Sequence, residues 1–195
     1  MKDELSGNKP IKSHFPWVLN EEKFLDFRKV KKLRRTLETA KEIALRENKT
    51  IPIRDWFMVE LGLSTGLRVE EMVNLRISDL YLSKERPFLI VRRGKGNKPR
   101  TVYFSKAFKQ ACLFYLNWKE KIFPQSDYLF SAKGKAQLTK RALQKSFKKI
   151  IHRAGLDGHY SIHCLRHTYG SFLYKSSNHN LRLVQEQLGH SSIRT

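Results

Sequence analysis

The sequence predicts an α+β fold, in which a mostly helical domain carries one small antiparallel sheet. Two observations predict it. Apolar residues recur at helical spacing over most of the chain, and three short apolar runs lie close together at about 77–82, 88–93 and 100–104. The last two runs flank Gly94-Lys95-Gly96-Asn97, a composition typical of a hairpin turn. We therefore expect three short antiparallel strands within a helical domain.

The helices before the sheet follow from their apolar patterns. The first is expected at about 21–47, where one stripe is apolar and the other faces carry lysine and arginine. The second, at about 53–63, is almost continuously apolar, which indicates a helix buried on all sides. Glycines at 62 and 66 mark its end, and a short third helix is expected at about 67–75.

Four further helices are expected after the sheet, at about 108–116, 143–154, 163–175 and 181–188. The second of these has basic outer faces, and the last is ended by Gly189. Residues 1–16 are polar and contain proline, so they are expected to form a tail or linker. Residues 17–195 are expected to form one domain.

The charge balance favours a polyanionic partner. Thirty-nine lysine and arginine residues against 18 aspartate and glutamate residues give a formal net charge of +21. Nucleic acid is the first candidate and an anionic membrane surface the second, with a merely solubilising surface as the plain alternative. The basic helices at about 21–47 and 139–154 are candidates for contact with a phosphate backbone. No run of 18 apolar residues occurs, so no membrane span is expected.

The cysteine and histidine content predicts neither a disulfide framework nor a metal site. Cys112 and Cys164 lie in apolar helical patterns, so we expect buried thiols and a reducing intracellular compartment. His163 and His167 are spaced as in zinc proteases, but no glutamate follows His163 and no third ligand is evident. His167 is more typical of a packed structural histidine, and no metal or other cofactor is expected.

Breaking a DNA phosphodiester without a metal requires fixed cations around the phosphate. Charge builds on the non-bridging oxygens in the transition state, and guanidinium groups stabilise it through paired hydrogen bonds. Arg68 is predicted to open a helix directly after a glycine turn, where backbone N–H groups add to an anion site. Glu71 lies one turn later and could orient Arg68, although such pairs also occur as ordinary surface features.

Four other residues are of the types that this reaction needs. Lys95 at a hairpin tip could reach into a DNA groove, with a solvated turn lysine as the plain alternative; its segment lacks P-loop spacing. His163 and Arg166 are one turn apart on a helix and so share a face. His190 follows the helix-ending Gly189, where a lone histidine is usually an ordinary loop residue.

Four segments together resemble the active-site motifs of the tyrosine recombinases, or phage integrase family. They are Thr65-Gly66-Leu67-Arg68-Val69-Glu70-Glu71, Gly94-Lys95-Gly96-Asn97-Lys98, His163-Cys164-Leu165-Arg166-His167-Thr168 and Leu188-Gly189-His190-Ser191-Ser192. Each segment alone is a weak signal, but their order and approximate spacing match the family over residues 17–195. The resemblance implies the family's catalytic domain, with its small three-stranded sheet.

The resemblance also implies a role for each candidate. By this resemblance, Arg68 and Arg166 would clamp the scissile phosphate, and Glu71 would support Arg68. Lys95 would donate a proton to the 5′ oxygen, and His163 would act as an acid–base group. His190 would donate a hydrogen bond to the phosphate. Further contacts to DNA are expected from Lys98, Arg100, Lys140 and Arg141. The family forms a 3′-phosphotyrosine link to double-stranded DNA without metal or ATP, and works as a tetramer on paired sites. The implied function is site-specific recombination or integration, in the prokaryotic cytoplasm and in the service of a mobile element.

The match departs from the family at the nucleophile. The expected tyrosine would lie beyond Thr195, and none of the seven tyrosines present occupies its position. Three interpretations stay open: the chain is cut before the nucleophile, it is a non-cleaving DNA-binding or regulatory remnant, or a partner supplies the tyrosine. A basic RNA-binding protein is a further alternative, which would bind RNA duplexes at least as well as DNA.

Overall fold

The computed structural model describes residues 23–83, 85–92, 98–132 and 137–189 of the chain. Within these ranges lie seven α-helices and one three-stranded sheet, which confirms the predicted α+β class. The helices are α1 (Phe27–Arg46), α2 (Ile51–Thr65), α3 (Val69–Asn74), α4 (Lys106–Ile122), α5 (Lys140–Arg153), α6 (His163–Ser176) and α7 (Leu181–Leu188); the strands are β1 (Leu80–Tyr81), β2 (Phe88–Val91) and β3 (Arg100–Tyr103). No described helix is both long and apolar enough to cross a membrane.

The sheet is antiparallel in the order β1-β2-β3, as predicted. Its first strand is shorter than the predicted run at 77–82. Residues Ile77–Asp79 form a turn of 3-10 helix, in which the Asp79 carboxylate accepts a hydrogen bond from the Arg76 N–H at 2.9 Å. A side-chain bond of this kind gives the backbone an alternative to the strand ladder, so the prediction of a strand over these three residues is wrong.

Helix α2 lies at the centre of the core, as its continuous apolar run predicts. Its Phe57, Met58 and Val59 side chains are all fully buried, although they point in different directions around the helix. The Phe57 ring stacks on Tyr115 of α4 with the ring centroids 4.0 Å apart. Helices α1, α4, α5 and α6 all pack against α2, so it provides the fixed support on which the other elements are placed.

A close approach between α2 and α6 brings two of the predicted motifs together. A Cβ atom on Gly62 would lie 2.7 Å from Cδ1 and 2.9 Å from Cβ of Leu165. Only glycine allows the two helices to come this close without moving one of them. Since Leu165 directly precedes Arg166, this contact sets Arg166 beside the end of α2.

Side-chain caps set the starts of four helices. In each, an oxygen of the capping residue accepts a hydrogen bond from the backbone N–H three residues later; the caps are Asp26, Ser105, Thr139 and Asn180. The Asp26 cap explains why α1 begins at Phe27 rather than near residue 21. The Thr139 cap starts α5 at Lys140, close to the start of the basic helix expected at about 139–154.

Both cysteines are buried, as predicted. Cys112 lies on α4 and Cys164 on α6, and burial raises the pKa of each thiol to about 12. The thiols are therefore protonated at neutral pH and act as small apolar groups within the core.

Candidate active site

The first motif forms a tight turn between α2 and α3. Helix α2 ends at Thr65, and Gly66 follows with a φ of 62°, a left-handed conformation that favours glycine. A Cβ atom on Gly66 would also lie 2.4 Å from the Tyr169 ring, so there is no space for a side chain. Arg68 then precedes α3, and the Glu71 carboxylate accepts its backbone N–H at 2.8 Å. The turn therefore holds Arg68 at the N-terminal end of α3.

The carboxylate of Glu71 is buried at the centre of three arginines. Its side chain is only 5% exposed. Arg100 donates to both oxygens, at 2.7 Å to Oε1 and 2.9 Å to Oε2. Arg68 donates from Nη1 to Oε1 at 3.1 Å, and Nη1 of Arg166 lies 3.9 Å from Oε2. The ion pair expected between Arg68 and Glu71 is thus one of three, and we refer to these four residues as the Glu71 cluster.

Arg166 joins the second motif to the first motif and to the end of α7. It donates from Nη1 to the Gly66 carbonyl at 2.7 Å and from Nη2 to the Leu188 carbonyl at 2.6 Å. Both carbonyls lie at helix C-termini, where acceptors lack partners within the helix and the helix dipole is negative. These contacts fix a buried guanidinium group in position and orientation.

Burial and charge act in opposite directions on the pKa values of the cluster. Burial alone would raise the pKa of Glu71, but hydrogen bonds and charge from Arg100, with the Arg68 N–H, hold that pKa below its usual value. Burial lowers the pKa of Arg166 to about 9, and the charges of Arg68 and Arg100 contribute while Glu71 opposes them. Glu71 and Arg166 therefore stay ionised at neutral pH, and an added anion would favour the charged form of Arg166.

The cluster has an excess of positive charge, because three guanidinium groups surround one carboxylate. Arg68 is its most accessible member, with 30% of its side chain exposed against 11% for Arg100 and 10% for Arg166. Within the described ranges the Nε and Nη2 atoms of Arg68 make no hydrogen bond. The arrangement can therefore bind an anion at Arg68, with the positive charge of Arg166 close to it.

The second motif places its two histidines differently. His163 lies in the first turn of α6 and is exposed, whereas Arg166 one turn later is buried. His167 is half-buried, and burial, aided by the nearby charge of Arg166, lowers its pKa. This environment agrees with a structural role for His167.

Lys95 and His190 lie outside the described residues, but residues close to each of them reach the cluster. Arg100 at the start of β3 is five residues after Lys95 in the sequence, and it binds Glu71. Gly189 directly precedes His190, and a Cβ atom on it would lie 2.7 Å from Cδ of Arg100. The described residues Arg100 and Gly189, which are close in sequence to Lys95 and His190, thus lie beside the first two motifs.

The expected DNA contacts fall into two groups. Lys98 and Arg141 are exposed, and Lys140 is exposed with an ion pair to Glu70. These three keep the surface position that contact with a phosphate backbone requires. Arg100 does not, because its guanidinium is turned inward onto Glu71.

The direction of Arg100 follows from the period of the strand. Arg100 pairs with the buried Val91, and two residues later Val102 pairs with the buried Leu89. Residues two apart share one face of a strand, so Arg100 points towards the core with Val102. The alternation was visible in the sequence, but the partner of Arg100 was not, because Glu71 comes from a different element.

Gln187 is a contributor that the sequence did not indicate. Its side-chain oxygen accepts the Tyr103 N–H at 3.1 Å and lies 3.5 Å from the Tyr169 hydroxyl, and its carbonyl accepts from Arg100 Nε at 3.3 Å. It therefore fastens the end of α7 to β3. A glutamine at this point of a helix carries no pattern that marks it in advance.

Comparison with known proteins decides the family. Residues 23–195 match the model of the phage integrase family. The chain belongs to this family. It is 35% identical over 162 residues to tyrosine recombinase XerC of Caldanaerobacter subterraneus subsp. tengcongensis, over 82% of the chain and 44% of that protein. It is 37% identical over 169 residues to XerC of Pseudomonas aeruginosa, over 85% of the chain and 54% of that protein. The chain thus spans about half the length of these relatives.

Solved recombinase structures share the fold of this phage integrase family member. The XerA recombinase matches with a TM-score of 0.72 and 26% identity, over 87% of this chain and 56% of that one. The XerH site-specific recombinase, bound to palindromic difH substrate in a post-cleavage complex, matches with a TM-score of 0.70 and 30% identity, over 87% and 46%. The predicted tyrosine-recombinase-like catalytic domain fold is therefore confirmed.

Proposed function

We propose that this chain carries the catalytic machinery of a site-specific DNA recombinase, which breaks and rejoins DNA strands through a covalent phosphotyrosine intermediate. In this proposal Arg68 and Arg166 hold the non-bridging oxygens of the scissile phosphate, and Glu71 supports both. A tyrosine hydroxyl attacks phosphorus, and the 5′ oxygen of the next nucleotide leaves. His163 takes the proton of the attacking hydroxyl, and Lys95 gives a proton to the departing oxygen.

The observation that carries the proposal is the meeting of two motifs at Glu71. Arg68 comes from the turn before α3 and Arg166 from α6, yet both approach the same buried carboxylate, at 3.1 Å and 3.9 Å. Two preorganised guanidinium groups with excess positive charge are what the transition state of phosphoryl transfer requires, since negative charge builds on its oxygens. His190, which follows Gly189 in the sequence, is proposed to add a hydrogen bond to the phosphate.

Double-stranded DNA is the proposed partner. The net charge of +21 and the exposed Lys98, Lys140 and Arg141 support contact with a phosphate backbone. XerH, which shares 30% identity, is a site-specific recombinase whose structure contains its difH substrate. We also propose that the chain acts as a homo-oligomer on paired DNA sites, inside a bacterial cell like its XerC relatives.

The test of this function is strand cleavage by the complete product of the gene. Its DNA site is first recovered by selection of bound fragments from a random duplex library, and a nick beside the cleavage position then traps the covalent intermediate. We expect a protein–DNA adduct that survives denaturation with the wild type and none with Arg166→Ala. The 195-residue chain should bind the same duplex, with an affinity that falls about 10³-fold or more between 50 and 200 mM salt if at least ~6 phosphates are contacted.

Two outcomes would contradict the proposal. Sequence-selective binding without any adduct would favour the non-cleaving DNA-binding remnant of the same fold. Equal or tighter binding to RNA duplexes would favour the RNA-binding alternative, because A-form RNA presents a different groove geometry from B-form DNA.

A further inference from the structure

We propose that Arg100 is a positioning residue for the recombination reaction: it occupies the oxygens of Glu71 and so keeps Arg68 and Arg166 available to the phosphate. This proposal rests on the proposed function, because it concerns the availability of the arginines to DNA. It replaces the expectation that Arg100 itself contacts the DNA backbone.

The first support is the number of acceptor sites on Glu71. A carboxylate offers about four lone-pair sites, two on each oxygen. Oε1 accepts from Nη1 of Arg100 and Nη1 of Arg68, and Oε2 accepts from Nη2 of Arg100 and the backbone N–H of Arg68. All four sites are therefore filled, and Arg100 fills two of them.

The second support is the position of Arg166. Its Nη1 atom lies 3.9 Å from Oε2 of Glu71, within ion-pair range but beyond a hydrogen bond. Without Arg100, two acceptor sites on a buried carboxylate would open beside this guanidinium. Arg166 and Arg68 would then be drawn onto Glu71, and their N–H groups would be lost to the phosphate. The positive excess of the cluster would also fall by one charge.

The third support is that Arg100 touches two segments that are distant from each other in the sequence. Its guanidinium binds Glu71 in the first motif. At the end of α7, its Nε atom donates to the Gln187 carbonyl at 3.3 Å and its Cδ atom lies against Gly189. Arg100 is also the first residue of β3, five residues after Lys95 in the sequence. The contacts thus hold the start of β3 and the end of α7 beside the arginine pair.

The experiment compares Arg100→Gln with two control variants. Lys98→Gln removes a neighbouring cation that is exposed, and Arg182→Gln removes an arginine that pairs with a glutamate on the surface of α7, where its side chain is 86% exposed. The salt dependence of DNA binding is measured on the 195-residue chain for all three. The rate of adduct formation at saturating DNA is measured on the complete gene product, well below its melting temperature.

We expect Arg100→Gln to leave the slope of log affinity against log salt unchanged, whereas Lys98→Gln reduces that slope by about one. The rate of adduct formation should fall about 10-fold to 100-fold for Arg100→Gln, the range seen when a residue that orients another functional group is lost. Arg182→Gln should match the wild type in that rate. A slope that falls with Arg100→Gln as it does with Lys98→Gln would overturn the proposal, since Arg100 would then bind a phosphate directly.

A second variant separates positioning from a general loss of structure. In the double variant Arg100→Gln with Glu71→Gln, the amide oxygen can still accept the Arg68 N–H, but the charge that draws the arginines away is gone. We expect this double variant to form the adduct faster than Arg100→Gln alone. A double variant as slow as or slower than the single variant would overturn the proposal. If the wild type forms no adduct at all, the proposed function fails, and the salt slopes still decide whether Arg100 contacts DNA.

Discussion

The Glu71 cluster and the outer face of α5 are both rich in cations, but only in the Glu71 cluster are the cationic side chains held in position by buried partners. We define the α5 basic face as Lys140, Arg141, Lys145, Lys148 and Lys149, all of which are exposed. Its contacts are those of a surface, such as the ion pair from Lys140 to Glu70 and a hydrogen bond from Lys148 to the Gly158 carbonyl at 2.6 Å. In the cluster, by contrast, the arginines are held by a buried carboxylate and by main-chain carbonyls.

The difference shows that separate regions supply the long-range attraction for a polyanion and the fixed arrangement of guanidinium groups. Exposed lysines attract a polyanion at long range, and dissolved salt screens them strongly. Buried arginines are screened far less, and their orientation is set before a ligand arrives. We therefore expect the α5 basic face to control affinity and the Glu71 cluster to control the rate of the chemical step.

The largest expected effect is on the rate, for Arg166→Lys. Lysine keeps the charge but lacks the planar fork that reaches the Gly66 and Leu188 carbonyls together. Adduct formation by the complete gene product should fall about 10²-fold to 10³-fold, as when one preorganised donor is removed from a catalytic site. DNA affinity should change little, and Arg182→Lys on the surface of α7 should behave as the wild type. An Arg166→Lys variant with the full cleavage rate would show that a positive charge without the planar guanidinium is enough for the reaction. The distinction between the Glu71 cluster and the α5 basic face would then fail.

The next effect is on stability, for Glu71→Gln. Loss of the buried carboxylate leaves three guanidinium groups uncompensated, so the free energy of unfolding at neutral pH should fall by about 3 kcal/mol. Denaturant titrations of the 195-residue chain measure this difference. Glu70→Gln, which changes an exposed neighbour, should leave the unfolding transition where it is in the wild type.

The Glu71→Gln variant also tests how the stability of the protein depends on pH. The folded pKa of Glu71 is lowered from the ordinary value of 4.5, so its stabilising contribution is present above pH 4.5 and is lost as the pH falls through the folded pKa. The stability difference between the wild type and Glu71→Gln should therefore shrink in acid below pH 4.5. A difference that stays constant down to the lowest pH would mean that the charge of Glu71 is not the source of the stabilisation.

A smaller effect is expected at the turn that supports the cluster. Gly66→Ala forces a side chain into a left-handed conformation and against the Tyr169 ring, and should lower the free energy of unfolding by about 2 kcal/mol. Gly158→Ala is the matched control, because a Cβ atom there would meet nothing within 4 Å. Equal melting temperatures for the two variants would show that the turn relaxes without cost.

The smallest effect on the fold is expected on the α5 basic face. Lys145→Gln and Lys149→Gln should each change the free energy of unfolding by less than about 0.5 kcal/mol. Each should reduce the slope of log affinity against log salt by about one, if its ammonium group binds a phosphate. Slopes equal to that of the wild type would show that the α5 basic face does not contact DNA, and that other cations attract it.

Local patterns in the sequence predicted the elements and one pair of the site. Helix α7 has the predicted limits of Leu181 and Leu188, because its apolar spacing and the glycine after it act within the helix itself. The pair of Arg68 and Glu71 was predictable for the same reason, since residues one turn apart meet on a helix. Helix starts were less exact where a single cap such as Asp26 decided them.

The remainder of the site depends on contacts between distant segments. Glu71 and Arg100 are 29 residues apart in the chain, and Arg166 binds a carbonyl 100 residues earlier. No spacing rule within one element connects such residues, so the sequence could list the arginines but could not show which of them face DNA. The burial of Arg100 required the pairing of two strands and the placement of α3 against them.

The two carbonyls that hold Arg166 have a consequence for unfinished molecules. Gly66 and Leu188 are far apart in the sequence, so the guanidinium is fixed only after both segments have packed beside α6. Surface lysines need no such assembly. Under the proposed function, a newly made or partly melted chain would therefore keep the basic surface that binds DNA but lack the fixed Arg166 that strand cleavage needs.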